Sequence, residues 1–180
     1  MKHVVTGKQE NSRMCFICGL ENALGLKTSF YSLENGELAA RFTARDEHQG
    51  YPGRLHGGIA ASILDETIGR AIAVPSGKTV WGVTVDISLK YRKPIPLGVE
   101  LTAVGRIVSE NGRFFEGTGE IILPDGSIAI TAKGRYMKLP IEKIASDLPG
   151  AESLGWRVTQ SEDDPAHLEI PEVPRQGTAG

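Results

Sequence analysis

The sequence predicts an α+β fold in which a curved antiparallel β-sheet wraps around one long central helix. Three observations lead there. Asn35-Gly36, Asn111-Gly112 and Asp125-Gly126 each lie between alternating segments, and such pairs accept the positive φ values of type I′ hairpin turns. Residues 79–91 alternate cleanly with a period of two, as a strand does. Residues 59–73 alone break that period and read as a helix. A sheet of this length needs its apolar face covered, and one substantial helix is available to cover it.

The elements follow in order. Asn35-Gly36 joins strands at 28–33 and 37–43, Asn111-Gly112 joins 99–109 to 113–123, and Asp125-Gly126 leads into 127–138. In the strand at 79–91, Trp81, Val83, Val85, Ile87, Leu89 and Tyr91 share one face, while Gly82, Thr84, Asp86, Ser88 and Lys90 share the other. Pro94 and Pro96 end it, because proline has no N–H for the ladder. On the helix, Ala60, Ala61, Leu64, Ile68, Ala71 and Ile72 fall in one arc about 120° wide, with Ser62, Glu66, Gly69 and Arg70 opposite. The turn at 74–77 stops it.

Composition narrows the function classes. The 180 residues carry 20 Lys+Arg against 22 Asp+Glu, a net charge of −2 that offers no electrostatic case for nucleic acid as a partner. Two cysteines cannot staple a disulfide scaffold. No apolar run approaches the ~20 residues of a bilayer span, and the first ten residues lack the apolar core of a signal peptide. The expectation is a cytoplasmic protein with no membrane partner. Its organisation reads as a leader at 1–25, one domain at 26–140 and an extension at 141–180. Prolines and glycines punctuate 145–180, which reads as irregular and partly mobile, with Leu154, Trp156 and Val158 as a docked patch.

The chemistry concentrates in 48–58. This stretch runs through Gly50, Gly53, Gly57 and Gly58 directly into the helix. A glycine-rich helix entrance leaves backbone N–H groups unpaired and aims the positive end of the helix dipole outwards, which suits a carbonyl oxygen gaining negative charge. The same glycines also serve a tight turn packed against the sheet. Of the adjacent acids, Glu66 lies one turn before Arg70 and reads as an ordinary exposed i,i+4 pair. Asp65 lies at the rim of the apolar arc, half-desolvated, where a carboxylate is suited to act as base or nucleophile. The alternative is a boundary carboxylate bonded to a neighbouring strand.

The run His56-Gly57-Gly58, then Asp65 within a helix, then Gly82-Val83-Thr84-Val85 and Tyr91-Arg92-Lys93-Pro94, resembles the hotdog-fold acyl-CoA thioesterases. The similarity is greatest to the 4-hydroxybenzoyl-CoA thioesterase-like, phenylacetate-degradation branch and covers residues 15–138. It implies a hotdog fold, an acyl-CoA substrate, a homodimer or dimer of dimers with sites shared between subunits, and no cofactor or metal. By the same resemblance the Gly57 N–H polarises the thioester carbonyl, and His56 orients the site or binds near the thioester. Asp65, reaching across from the partner subunit, activates water or attacks directly, while Thr84 positions the water. Strict alternation puts Thr84 on the face away from Val83 and Val85, so it meets Asp65 only through a bulge or the partner subunit. Where several relatives carry Asn this chain has Gly50, which leaves His48 or Gln49 to make that polar contact. Gly58 completes the substrate-binding set with Arg92 and Lys93 for the coenzyme A phosphates, Arg113 or Lys133 being outlying candidates. Tyr51-Pro52-Gly53 would form part of the acyl-pocket rim.

Cys15 and Cys18 form a Cys-x-x-Cys pair, which can be redox-active or half of a zinc site. Zinc normally needs two more ligands and no second cysteine pair exists, while a thioredoxin-like βαβ context is lacking. In relatives of this kind the segment is a structural leader. Two other functions share the fold: acyl-thioester hydration or dehydration, and non-catalytic acyl-CoA binding.

Overall fold

In the computed structural model, which describes residues 1–75, 77, 80–144 and 155–171, eight strands and one long helix form the molecule. The strands are β1 (Lys2–Lys8), β2 (Ser29–Leu33), β3 (Leu38–Thr43), β4 (Gly82–Tyr91), β5 (Glu100–Glu110), β6 (Phe114–Ile122), β7 (Ile128–Lys138) and β8 (His167–Glu169). The helix α1 spans Gly57–Ala71. All neighbouring strands are antiparallel, in the order β4-β7-β6-β5-β3-β2-β1-β8. The expected sheet around a central helix is therefore present. No helix among the described residues is long and apolar enough to cross a membrane.

The helix lies against β3 to β7 and buries Ala60, Ile63, Leu64, Thr67, Ile68 and Ala71. Each large apolar side chain so buried contributes about 1.5–3 kcal/mol. Close approach depends on glycines in the sheet. A Cβ on Gly105 would come within 2.7 Å of the Thr67 carbonyl oxygen, and one on Gly117 within 2.5 Å of Ile68 Cγ2. The polar side of α1 is only partly open to solvent: Ser62 is exposed, but Glu66 and Arg70 are not the exposed pair the wheel suggested. Residues of the N-terminal segment cover these two, and the Glu66–Arg70 pair is only 19% and 14% exposed.

Three expectations need correction. In the hairpins at 33–37 and 123–127 only Gly36 and Gly126 take positive φ, while Asn35 and Asp125 do not. These are three-residue loops with a left-handed glycine rather than two-residue type I′ turns. At 111–112 neither residue is left-handed, and the Asn111 side chain accepts from the Arg113 and Phe114 N–H groups instead.

The second correction concerns the ends of the chain. Residues 2–8, read as leader, form β1, which pairs with β2 and β8 and extends the sheet. The described part of the extension is a docked strap. Trp156 packs edge-on against Trp81 with ring centroids 4.5 Å apart, Asp164 accepts from Lys8 and Tyr31, and Ile170 is buried with Leu33, Val104 and Ile122. Leu154 lies outside the described residues, and Val158 is largely exposed.

The third is the face assignment in β4. Thr84 pairs with Tyr136 and Asp86 with Arg135, so Val85 is one residue too many: a β-bulge. The bulge reverses the alternation. Gly82 and Thr84 share the inner face with Ile87, Leu89 and Tyr91, while Val83 and Val85 point outwards and are exposed.

Candidate active site

The bulge turns Thr84 towards α1, where its hydroxyl donates to Asp65 Oδ1 at 2.9 Å. No second subunit is needed for this contact. Tyr136, buried and stacked on Phe115 with centroids 4.9 Å apart, donates its hydroxyl to the Asp65 carbonyl at 3.0 Å. It thereby fixes the turn of α1 that carries the carboxylate. Burial raises the Asp65 pKa above the ordinary carboxylate value, and the Thr84 hydrogen bond works against that rise by favouring the charged form. A carboxylate so placed is held by one donor and keeps lone pairs for a water or a substrate.

Asp65 and Thr84 line a cleft of about 570 Å³, whose walls include Gly69, Trp81, Tyr136 and Trp156. Cys15, Glu66 and Arg70 lie at the same cleft. Trp156 in that wall is supplied by the extension, where a docked patch was expected.

The helix entrance is a second centre. His56 is the N-cap, and its Nδ1 accepts from the Gly58 N–H at 3.0 Å. Gly58 thus has its N–H occupied by the chain itself. Among the described residues none accepts from the Gly57 N–H, one of the first-turn donors that a helix leaves without an intrahelical partner. Tyr91 donates to the Gly57 carbonyl at 2.8 Å and ties the end of β4 to the start of α1. Gly57, Tyr91, Arg92 and Lys93 line a smaller cavity of about 300 Å³, with both cations exposed. Lys133 lies by Glu116 and Arg113 by the Phe114 ring, neither of them lining this cavity.

The structure does not bring His48 to either centre. His48 is fully buried, with Nδ1 accepting from the Arg45 N–H at 2.9 Å and Nε2 donating to the Leu24 carbonyl at 2.8 Å. Both ring nitrogens are used inside the fold, so it is a strut for the loop rather than a ligand contact. Gln49 accepts from the Gly53 N–H at 2.9 Å and shapes the exposed turn at 50–53. Gly50 backs onto His56, where a Cβ would come within 3.1 Å of its Cα. Tyr51 is 82% exposed and lines neither cavity.

The profile of the thioesterase superfamily matches residues 52–130, which run from the loop before α1 to the start of β7. The chain belongs to the thioesterase superfamily, as a hotdog-type thioesterase. A thioesterase superfamily protein of known crystal structure superposes with a TM-score of 0.63 at 33% identity, over 69% of this chain and 60% of that one. Acyl-coenzyme A thioesterase THEM4 of Mus musculus is 32% identical over 138 residues, covering 76% of this chain and 58% of that protein. Acyl-coenzyme A thioesterase 13 of Homo sapiens is 25% identical over 118 residues, covering 66% and 82%. The PaaI protein of E. coli, from its phenylacetic acid degradation operon, shares the fold with a TM-score of 0.57 at 16% identity.

Within this superfamily member, sequence reading missed Tyr91 and Tyr136 as positioning residues. Tyr136 gave no signal, being one apolar-face residue of a strand. Tyr91 stood inside a quoted motif, but its contact to Gly57 depends on how α1 crosses β4.

Proposed function

We propose that this chain hydrolyses acyl-CoA thioesters as a homodimer, each site combining the Gly57 N–H of one subunit with Asp65 and Thr84 of the other. The supporting observation is a distance. Gly57 and Asp65 are eight residues apart on one helix, roughly 12 Å of axial rise, too far for both to serve one carbonyl group. Two copies remove the difficulty. Among the described residues β4 is an edge strand, with Val83 and Val85 exposed on it, and an exposed edge of this length calls for a partner. Along β4, Thr84 marks the position of Asp65 and Tyr91 marks that of Gly57. Antiparallel pairing of two β4 strands centred on Ser88 keeps like faces together, Ile87 opposite the partner's Leu89, and with Val85 as the extra residue it sets Thr84 opposite the partner's Tyr91. Each Asp65 then faces the partner's Gly57.

In this site the thioester carbonyl oxygen accepts from the Gly57 N–H, where the helix dipole favours the developing charge. Asp65 takes a proton from a water whose other hydrogen is donated to the Thr84 hydroxyl oxygen. Water oxygen bonds to the carbonyl carbon, the C–S bond breaks, and the thiolate leaves with a proton returned through the carboxyl group. The acyl chain occupies the cleft walled by Trp81 and Trp156, while Arg92 and Lys93 meet the coenzyme A phosphates. His56 holds the entrance in shape through its cap, with Gly58 as its donor.

Release of free thiol from short, medium, long and aromatic acyl-CoAs tests the reading. Wild type should turn over at least one class, and Asp65→Ala should lose about 10²–10⁴-fold while staying folded. A folded Asp65→Ala chain with full activity would contradict it.

A further inference from the structure

The Cys-x-x-Cys segment lies apart from the carbonyl chemistry proposed above, yet its side chains meet α1. Cys15 donates its thiol to Glu66 Oε2 at 3.2 Å, and the Arg70 guanidinium lies 3.2 Å from Cys18 Sγ. Arg70 also donates to Glu66 Oε1 at 2.9 Å. One ligating atom from each of Cys15, Cys18 and Glu66 falls within 4.8 Å of the others. The lack of a second cysteine pair therefore does not leave the first without company, because the helix supplies a third donor.

We propose that Cys15, Cys18 and Glu66 form a zinc site, two thiolates and one carboxylate, with solvent from the cleft as the fourth donor. Four features carry this. First, tetrahedral zinc with ~2.3 Å Zn–S bonds separates its sulfurs by roughly 3.8 Å, and the three ligand atoms here already lie within 4.8 Å of one another. Second, the backbone is already arranged around a thiolate. The N–H groups of Ile17 and Cys18 point at Cys15 Sγ at 3.3 and 3.4 Å. The tight turn that aims them requires Gly19, since a Cβ there would come within 2.3 Å of the Cys15 carbonyl oxygen.

Third, the charges balance. Zn²⁺ replaces the two thiol protons, so Glu66, Arg70, two thiolates and the metal carry the same total charge as the cluster with both thiols protonated. Arg70 bonds to two of the three ligands and would orient both, as outer partners of metal ligands do. Fourth, the site is closed on one side and open on the other. Cys18 is fully buried, while Cys15 and Glu66 are half-buried at the cleft that holds Asp65. The metal would fasten the N-terminal segment to the helix that carries the catalytic carboxylate.

The test uses the full chain, reduced and stripped of metal, titrated with Co²⁺ and then Zn²⁺. The expected result is one equivalent of cobalt with the visible bands of a tetrahedral site and a near-ultraviolet sulfur-to-cobalt band, displaced by zinc with about two protons released per metal. Cys15→Ser and Cys18→Ser should lose the charge-transfer band. Glu66→Gln should shift the visible bands and weaken uptake, and Arg70→Ala should weaken it by about tenfold or more. Protection of both thiols from alkylation by bound zinc in wild type reads the same site without a variant. No uptake at micromolar metal by the reduced chain overturns the proposal, as does uptake unchanged by Cys18→Ser or by Glu66→Gln. A Cys15–Cys18 disulfide formed in air by a chain that takes no metal when reduced would make the pair a redox couple instead.

Discussion

Thr84 donates to the Asp65 carboxylate at 2.9 Å because Val85 is an extra residue in β4. Without the bulge, alternation would turn the hydroxyl outwards with the face that now holds Val83 and Val85. The bulge therefore places one polar residue beside the carboxylate at the cleft and turns two valines to the outer face.

Removing that hydroxyl should change how Asp65 titrates. The Thr84 hydrogen bond favours the charged carboxylate, so Thr84→Val should move the acidic limb of the pH–rate profile to higher pH. Activity near neutral pH should fall about tenfold, the equivalent of roughly 1.5 kcal/mol for one hydrogen bond to a charged group. Thr84→Ser should restore the profile. An acidic limb unmoved in Thr84→Val would show that the contact does not tune the base.

Asp65 should cost the fold stability at neutral pH. Burial raises its pKa, so the folded state holds this proton more tightly than the unfolded chain does. Stability from this group is then greatest below the ordinary carboxylate value and declines as pH rises through the raised one. Asp65→Asn removes the charge and keeps an oxygen for Thr84. It should melt above wild type at neutral pH, with the difference closing as pH falls, in a thermal scan across that range. A lower melting temperature at neutral pH would argue that the charged form is stabilised by something other than Thr84.

Gly57→Pro isolates the backbone donor. Proline is tolerated at the first position of a helix, and His56 already has the extended conformation required before proline, with φ −63° and ψ 133°. A Cβ at 57 would meet the Tyr91 ring at 3.5 Å, an ordinary contact. The substitution deletes the N–H with the helix intact, and kcat should fall by about 10²–10³-fold. Unchanged circular dichroism with wild-type kcat would remove Gly57 from the oxyanion site.

Much of this was legible in the sequence for physical reasons that differ between elements. The helix and the β5–β7 hairpins show because periodicity and Asx-Gly pairs are local signals, even where the turn type differs. Asp65 shows because a carboxylate at the edge of an apolar arc needs an explanation. A bulge entered only as one of two ways for Thr84 to meet Asp65, and its place at Val85 does not show, since an apolar residue in an alternating strand looks regular in either register. β1 and β8 do not show because the first carries no apolar alternation and the second has three residues. His48 misleads for a related reason: whether a loop imidazole faces a ligand or a carbonyl such as that of Leu24 is decided by tertiary packing alone. Cys15 and Glu66 are 51 residues apart, a juxtaposition that only the fold creates.

The division of each site between two subunits is the central claim, and mixing inactive variants tests it most directly. Gly57→Pro and Asp65→Ala chains, each inactive alone, are unfolded together, refolded and assayed. In a heterodimer one site carries both defects and the other carries neither. Random reassortment should therefore recover about one quarter of wild-type activity per chain, as expected for two equivalent sites related by two-fold symmetry. Activity no greater than the sum of the separate variants, in a sample shown by mass spectrometry to contain heterodimers, would contradict a shared site.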